Sequence, residues 1–245
     1  MKKPLKGVIL AGGMGSRLLP LTKVTNKHLL PVGSEPMIYH QVKQLTTAGI
    51  TDILVITSTS HMGDVVNLLG SGKEFNCQFT YKVQEQALGI AHALAMAEGF
   101  TGGQSLVVLL GDNIFEYSLK PYIDNFIKQK KGARVILKEV GDPERYGVAA
   151  LDEYQVIQIT EKPKRPKSPF AVVGAYMYPP DVFDVIRTVK FSKRGELEIT
   201  SVNNVYIKRE ELKYDILEGK WTDAGTLESL AEAHKILQAN KNHLK

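Results

Sequence analysis

Short apolar runs ending in glycine or a polar turn alternate, through the first half of this chain, with segments of helical period. That alternation limits the fold more than any other feature. Val8-Ile9-Leu10 runs into Gly12-Gly13. Ile53-Leu54-Val55-Ile56 and residues 106–110 are continuous apolar runs, as strands covered on both faces require. Phe79, Tyr81 and Val83 alternate with polar neighbours, a strand pattern, and 133–140 reads as a further strand. Between them, residues 35–48 place Ile38, Val42 and Leu45 on one helical face, with Gly49 where a C-cap belongs. Residues 62–69, 89–98 and 119–130 also read as helices. The pattern implies an α/β fold: a mainly parallel sheet with helices on both faces. Ligands of such sheets lie outside the carboxyl ends of the strands. Residues 12–17, the Gln84 region and Asp112 therefore belong on one edge.

The second half is less regular. Residues 146–151 and 156–160 read as strands paired across an Asp152-Glu153 turn, and 162–169 form a basic, proline-rich loop. A strand is expected at 171–178, helices at 180–189 and 198–208, an extended segment at 212–217, and a last helix at 226–239. Neither repeats nor a long linker divide the chain, so one α/β domain over residues 1–245 with a β-rich appendage is expected.

Composition narrows the function classes. No apolar run reaches the roughly 18 residues of a membrane span, and no secretory signal is legible. The lone Cys77 rules out an internal disulfide and suits a reducing cytoplasm. A net charge of +5 suits anionic substrates such as phosphates or nucleic acid, and equally is a charge that many soluble enzymes carry for no specific reason. A nucleic-acid binder would need a contiguous basic face with stacking aromatics, and the cationic cluster here is the short proline-rich loop. The six histidines are dispersed, without zinc-site spacing.

Gly12-Gly13-Met14-Gly15-Ser16-Arg17 lets backbone N–H groups approach a phosphate. It is neither a dinucleotide fingerprint, whose third glycine position holds Leu18, nor a Walker loop, which needs Gly-Lys-Ser/Thr. A tight turn is the bland alternative; Arg17 inside the loop and Lys27 beyond it fit a triphosphate. Asp112 and Asp223 could likewise be turn or cap residues.

The stretch from Leu10-Ala11-Gly12-Gly13 through Ser16-Arg17 to Lys27-His28-Leu29-Leu30-Pro31 resembles the signature of sugar-1-phosphate nucleotidyltransferases, with Ser16 where Thr is usual. Gly111-Asp112-Asn113, Pro143-Glu-Arg-Tyr-Gly-Val148, Glu161-Lys162-Pro163, Arg194-Gly-Glu-Leu-Glu-Ile-Thr200 and Trp221-Thr-Asp-Ala-Gly-Thr226 also match, in order. The set most resembles that family's glucose-1-phosphate thymidylyltransferases.

The resemblance implies a Rossmann-like nucleotidyltransferase fold, with a nucleotide-binding part over about 1–140 and a sugar-binding part over about 141–226. It implies glucose 1-phosphate and dTTP as substrates, dTDP-glucose and pyrophosphate as products, and Mg²⁺ held by Asp112 and Asp223. Arg17, Lys27 and Lys162 carry over as catalytic. Leu10, Ala11, Gly12, Gly13, Gly15, Ser16, Arg17, Gln84, Gly89 and Asp112 carry over as nucleotide-binding. Asn113, Tyr146, Gly147, Glu161, Lys162 and Gly174 carry over as substrate-binding. Tyr146 could equally be core, and Lys162 a solvated lysine of its loop. The Gln84-Glu-Gln-Ala-Leu-Gly-Ile-Ala segment departs from the family's usual Q-P-S-P-D-G-L-A. A UTP- or CTP-preferring enzyme and a non-catalytic regulatory relative are the alternatives. A homo-oligomer is expected, with no nucleic acid or membrane partner. The chain is short for the family, so weak or altered feedback inhibition by the pathway's end product is expected.

Overall fold

The computed structural model describes residues 5–243. The strands are β1 (Lys6–Ala11), β2 (Pro31–Val32), β3 (Glu35–Pro36), β4 (Asp52–Ser58), β5 (Gln78–Gln84), β6 (Leu106–Leu110), β7 (Asn113–Phe115), β8 (Ala133–Glu139), β9 (Gly147–Asp152), β10 (Gln155–Glu161), β11 (Phe170–Tyr178), β12 (Leu212–Ile216) and β13 (Trp221–Asp223). The helices are α1 (Met37–Thr47), α2 (Met62–Leu69), α3 (Ile90–Ala95), α4 (Glu98–Thr101), α5 (Lys120–Lys128), α6 (Val182–Thr188), α7 (Ile199–Lys208) and α8 (Leu227–His243). Short 3-10 turns fill much of the stretch from Ser16 to Leu29.

The chain divides into two compact units, each discontinuous in sequence. The glycine-loop unit comprises Lys6–Ala87, Leu109–Lys120 and the chain from Gly219 onward. The hairpin unit contains Leu88–Val108 and Pro121–Glu218.

In the glycine-loop unit β1, β4 and β5 run parallel, with Leu10 opposite Ile56 and Val55 opposite Tyr81. Val8, Ile9 and Ile53 to Val55 are fully buried, so the apolar runs became strands covered on both faces. Helix α1 buries Met37, Ile38, Val42 and Leu45 and ends at the Ala48-Gly49 turn, where Gly49 takes a positive φ. Helix α8 starts at a reciprocal cap: Ser229 N–H donates to the Thr226 hydroxyl, and Thr226 N–H to the Ser229 hydroxyl. It buries Leu230, Ala233 and Ile236 against Leu18, Leu30, Val32, Ile114 and Ala224. The residue after Arg17 is thus pinned in a core closed by the last helix.

In the hairpin unit β11 pairs antiparallel with β8 and β9, β9 pairs antiparallel with β10, and β12 lies parallel to β8. Helix α7 packs on β10. The expected α/β fold, with a parallel sheet and an antiparallel β-rich part, holds. One expected helix differs. The 89–98 segment is α3 followed by the single-turn α4, because the chain breaks at Met96-Ala97 and Gly99 and Gly102 weaken any continuation.

Candidate active site

Strand β1 ends at Ala11, and its last carbonyls fasten neighbouring segments. Gly111 N–H donates to Leu10 O at 2.9 Å, and Asn26 Nδ2 to Ala11 O at 3.1 Å. Gly12 faces Gln84: a Cβ on Gly12 would stand 3.3 Å from Gln84 Oε1. Residues 12–17, Gln84 and Asp112 therefore gather at the strand ends of this unit, as the sheet rule requires.

Gly15 has φ +65°, and its carbonyl accepts from Thr22 Oγ1 at 2.8 Å. A Cβ there would lie 2.8 Å from Thr22 Cγ2 and 3.0 Å from Lys27 Cβ. Gly15→Ala combines left-handed strain with overlap. It should cost about 1–3 kcal/mol in urea unfolding and raise the KM for nucleotide; wild-type values of both would show the loop tolerates a side chain.

Ser16 and Arg17 are exposed on a 3-10 turn anchored by fully buried Leu18. The Arg17 guanidinium lies over Gly225: a Cβ on Gly225 would be 3.0 Å from Arg17 Nη2 and 3.5 Å from Asp223 Oδ2. Arg17 and Asp223 thus share one patch of surface, which the missing side chain of Gly225 leaves open.

The segments of the two acids are joined by a ladder too short to read in the sequence. Strand β7 pairs antiparallel with β13, with Asp223 opposite Asn113, and Ala224 N–H donates to Asp112 O at 2.7 Å. Lys27 Nζ lies 2.5 Å from Asp112 Oδ2, the two side chains being 12% and 15% exposed. Asn113 Nδ2 donates to Asp112 Oδ1 at 2.9 Å, and Trp221 Nε1 donates to Asn113 Oδ1 at 2.8 Å. Burial alone would lift the Asp112 pKa. The Lys27 ammonium, helped by the Asn113 amide, outweighs burial and holds the carboxyl well below the usual range. Lys27 also lies against Gly13, whose Cβ would stand 3.2 Å from Nζ.

His28 lies within the Lys27-His28-Leu29-Leu30-Pro31 match, with no function legible from sequence. It is buried, with Nδ1 2.6 Å from Asn26 Oδ1. A Cβ on Gly111 would stand 2.6 Å from its Cδ2. Burial, reinforced by the Lys27 charge, pushes its pKa down to about 3. The ring is neutral at physiological pH and spaces the Lys27 segment from the Asp112 segment.

The hairpin unit gathers a second group. Glu161 pairs with Gly147, and Lys162 N–H donates to Tyr146 O at 2.9 Å. Tyr146 is half-buried under the Arg145 guanidinium, 5.1 Å from its ring centroid, rather than in the core. Lys162 Nζ is 4.0 Å from Glu161 Oε1, and Arg194 Nη1 is 3.6 Å from the same oxygen. Thr200 Oγ1 donates to Glu161 Oε2 at 2.6 Å. Arg194 and Thr200 lie in the Arg194-to-Thr200 motif, where sequence assigns them no role; only the fold shows that they converge on Glu161. Gly174 lies in β11 where its pairing with β8 breaks, between Val172 and Tyr176. Gly89, at φ +101°, is pressed against Leu197, whose carbonyl a Cβ would approach to 2.6 Å. Packing against Leu197 therefore holds this position to glycine.

The chain is similar to several known proteins. The family model described as nucleotidyl transferase matches residues 6–240. A glucose-1-phosphate thymidylyltransferase of Neisseria meningitidis is 42% identical over 97% of this chain and 84% of its own length. One from Xanthomonas campestris is also 42% identical, over 95% of this chain and 80% of its own. A Bacillus anthracis crystal structure, assigned as a glucose-1-phosphate thymidylyltransferase and holding a sucrose, superposes with a TM-score of 0.91 at 56% identity, covering 95% of this chain and 94% of that one. A UDP-glucose pyrophosphorylase complexed with UDP-glucose superposes with a TM-score of 0.85 at 27% identity, covering 97% and 99%. With the glycine loop, the paired acids and the Glu161-Lys162 group on this fold, the chain belongs to the nucleotidyl transferase family, and its relatives there are sugar-1-phosphate nucleotidyltransferases.

Proposed function

We propose that the chain joins glucose 1-phosphate to dTTP, giving dTDP-glucose and pyrophosphate, in the cytoplasm and as a first step toward dTDP-linked deoxysugars. The observation that carries this reading is the β7–β13 ladder, which sets Asp112 beside the Asp223 strand with Lys27 and Arg17 at hand. Mg²⁺ fits that donor set, since it usually takes one or two carboxylates and fills its shell with phosphate and water oxygens. Among the described residues no group of three or more His, Cys, Asp or Glu offers a fuller cage. Asp112 and Asp223 would hold the ion, which when bound neutralises phosphate charge.

The chain's own residues then align two polyanions. Backbone N–H groups at Gly12, Gly13 and Gly15, with Leu10, Ala11 and Ser16 around them, cradle the triphosphate. Arg17 covers the leaving pyrophosphate, and Lys27 carries the charge that develops in the transition state. Gln84 offers both a donor and an acceptor to the thymine edge. Glu161 accepts from sugar hydroxyls, Lys162 holds the sugar phosphate, and Tyr146, Gly147 and Gly174 line the sugar pocket. An oxygen of the sugar phosphate attacks the α-phosphorus in line as pyrophosphate departs opposite. A phosphate monoester has a second pKa of about 6, so the nucleophile is already anionic at neutral pH. No general base is required, and neutral, buried His28 serves none.

Pyrophosphate release with dTTP, UTP, CTP and GTP, each with and without Mg²⁺, tests the reading. The expected result is metal-dependent release, fastest with dTTP. Release that ignores the metal, or none with any pyrimidine triphosphate, would overturn it. The likeness to a UDP-glucose pyrophosphorylase favours UTP as the second reading. One thymine methyl is worth only about 1–3 kcal/mol of discrimination, so UTP turnover at one-tenth to one-hundredth of the dTTP rate is expected.

A further inference from the structure

Strand β10 is the outer strand of its hairpin, paired on one side with β9. At its middle, Ile159 finds its second partner in a side chain. Ile159 N–H donates to Asn204 Oδ1 at 3.0 Å, and Asn204 Nδ2 donates to Ile159 O at 2.7 Å. The carboxamide thus stands in for the peptide group of an absent neighbouring strand. Its other N–H is fixed too, donating to Thr200 O one helical turn back at 2.9 Å. The clamp lies just beyond the irregularity between Val156 and Gln158, where ladder pairing with β9 slips.

The same helical turn reaches Glu161. Thr200, 6% exposed, gives its hydroxyl hydrogen to Glu161 Oε2 at 2.6 Å. Gly147 leaves the room for this contact: a Cβ there would stand 3.2 Å from Thr200 Oγ1 and 3.4 Å from Glu161 Oε2. With Oε2 committed, Oε1 is the oxygen that meets Arg194 at 3.6 Å and Lys162 at 4.0 Å, beyond hydrogen-bond length. Ile159 and Glu161 point to the same face of β10, two residues apart. A clamp on Ile159 therefore fixes both the register of α7 along the strand and the place where the Thr200 hydroxyl meets the carboxylate.

We propose that Asn204 is a positioning residue for Glu161: by clamping the β10 edge it holds α7 in register, so that Thr200 locks one carboxylate oxygen and leaves the other for a sugar hydroxyl. This rests on the sugar-pocket reading above. Asn204 touches no substrate, and its loss misaims Glu161 rather than removing a contact.

The test is a double-mutant cycle of N204D with E161Q in the full chain, reading the KM for glucose 1-phosphate and for dTTP. Asp at 204 still accepts from Ile159 N–H but turns an oxygen toward Ile159 O and Thr200 O. N204D alone should raise the KM for glucose 1-phosphate on the order of tenfold, the scale of one hydrogen bond to a charged group, with the KM for dTTP within about twofold. In the E161Q background N204D should add little, since the oxygen it aims has lost its charge. An equal factor in both backgrounds, or a rise shared by both substrates, would mean a merely structural role and overturn the proposal. If E161Q alone leaves the glucose 1-phosphate KM unchanged in an enzyme that turns over, the sugar-pocket reading falls and the proposal with it. Should N204D melt below the assay temperature, N204S, which opens the clamp without a repulsive oxygen, carries the same cycle.

Discussion

Asp112→Asn and Asp223→Asn should each lower turnover by two to three decades at saturating substrate, and they should differ in stability. The rate loss follows from the task set for the two carboxylates. If they hold the divalent ion that shields the phosphates, losing either removes transition-state charge stabilisation worth about 3–4 kcal/mol by analogy with oxyanion donors. The half-saturating Mg²⁺ concentration should rise in both variants. Stability separates them. Asp112 is the partner of Lys27, at 2.5 Å with both side chains mostly buried. Removing its charge leaves an ammonium desolvated and unpaired, the situation in which a broken buried pair costs about 3–5 kcal/mol. Asn at 112 also meets the Asn113 amide that now donates to Asp112 Oδ1. Its carboxamide cannot accept from both Lys27 and Asn113 in the present geometry. Asp223→Asn leaves that pair intact and should lose less stability in urea than Asp112→Asn. Less than tenfold rate loss in both would remove the metal from the proposal. Rate loss only in Asp112→Asn, accompanied by destabilisation, would make the acid a structural partner of Lys27.

The contrast between these two acids also shows what the sequence could reveal. Strands β1, β4 and β6 were legible because each is an apolar run buried on both faces, β5 because Phe79, Tyr81 and Val83 alternate with polar neighbours, and α1 because Ile38, Val42 and Leu45 repeat at helical period. The gathering of residues 12–17, Gln84 and Asp112 followed from the sheet rule alone. The ladder joining Asp112 to Asp223 was not legible, since β7 and β13 have three residues each, below the length at which alternation can be read. The turns from Ser16 to Leu29 were invisible for the same reason, because 3-10 turns carry no hydrophobic period long enough to detect. His28 looked like one dispersed histidine. Only the fold puts it under Gly111, where the missing side chain admits the ring. Arg194 and Thr200 stood in a quoted motif, but their convergence on Glu161 depends on how α7 meets β10, which no local pattern encodes.

Acidification should destabilise the metal-free protein through the same buried cluster, in a direction that can be worked out. The folded state holds His28 neutral down to about pH 3, while the unfolded chain protonates it near its ordinary value of 6.5. Between those limits the unfolded state binds the extra proton, so stability rises with pH there and falls as pH drops from 6.5 toward 3. At about 1.36 kcal/mol per pH unit, the full window is worth about 4–5 kcal/mol, a large share of the roughly 5–15 kcal/mol that holds a typical domain together. Asp112 acts in the same direction at lower pH. Its folded pKa lies below the ordinary 3.8, so its contribution is present above that value and is lost only in stronger acid. Urea unfolding in chelator at pH 7.5, 6, 5 and 4 should therefore show a slope near one proton for wild type. His28→Gln keeps an amide to donate to Asn26 Oδ1 and removes the titrating ring. It should be less stable at pH 7.5, because Gly111 is shaped to the imidazole, yet lose much less on acidification. Parallel slopes for the two proteins would mean that His28 is protonated in the folded state, and that the Lys27 and Asp112 segments are spaced by something other than a neutral ring.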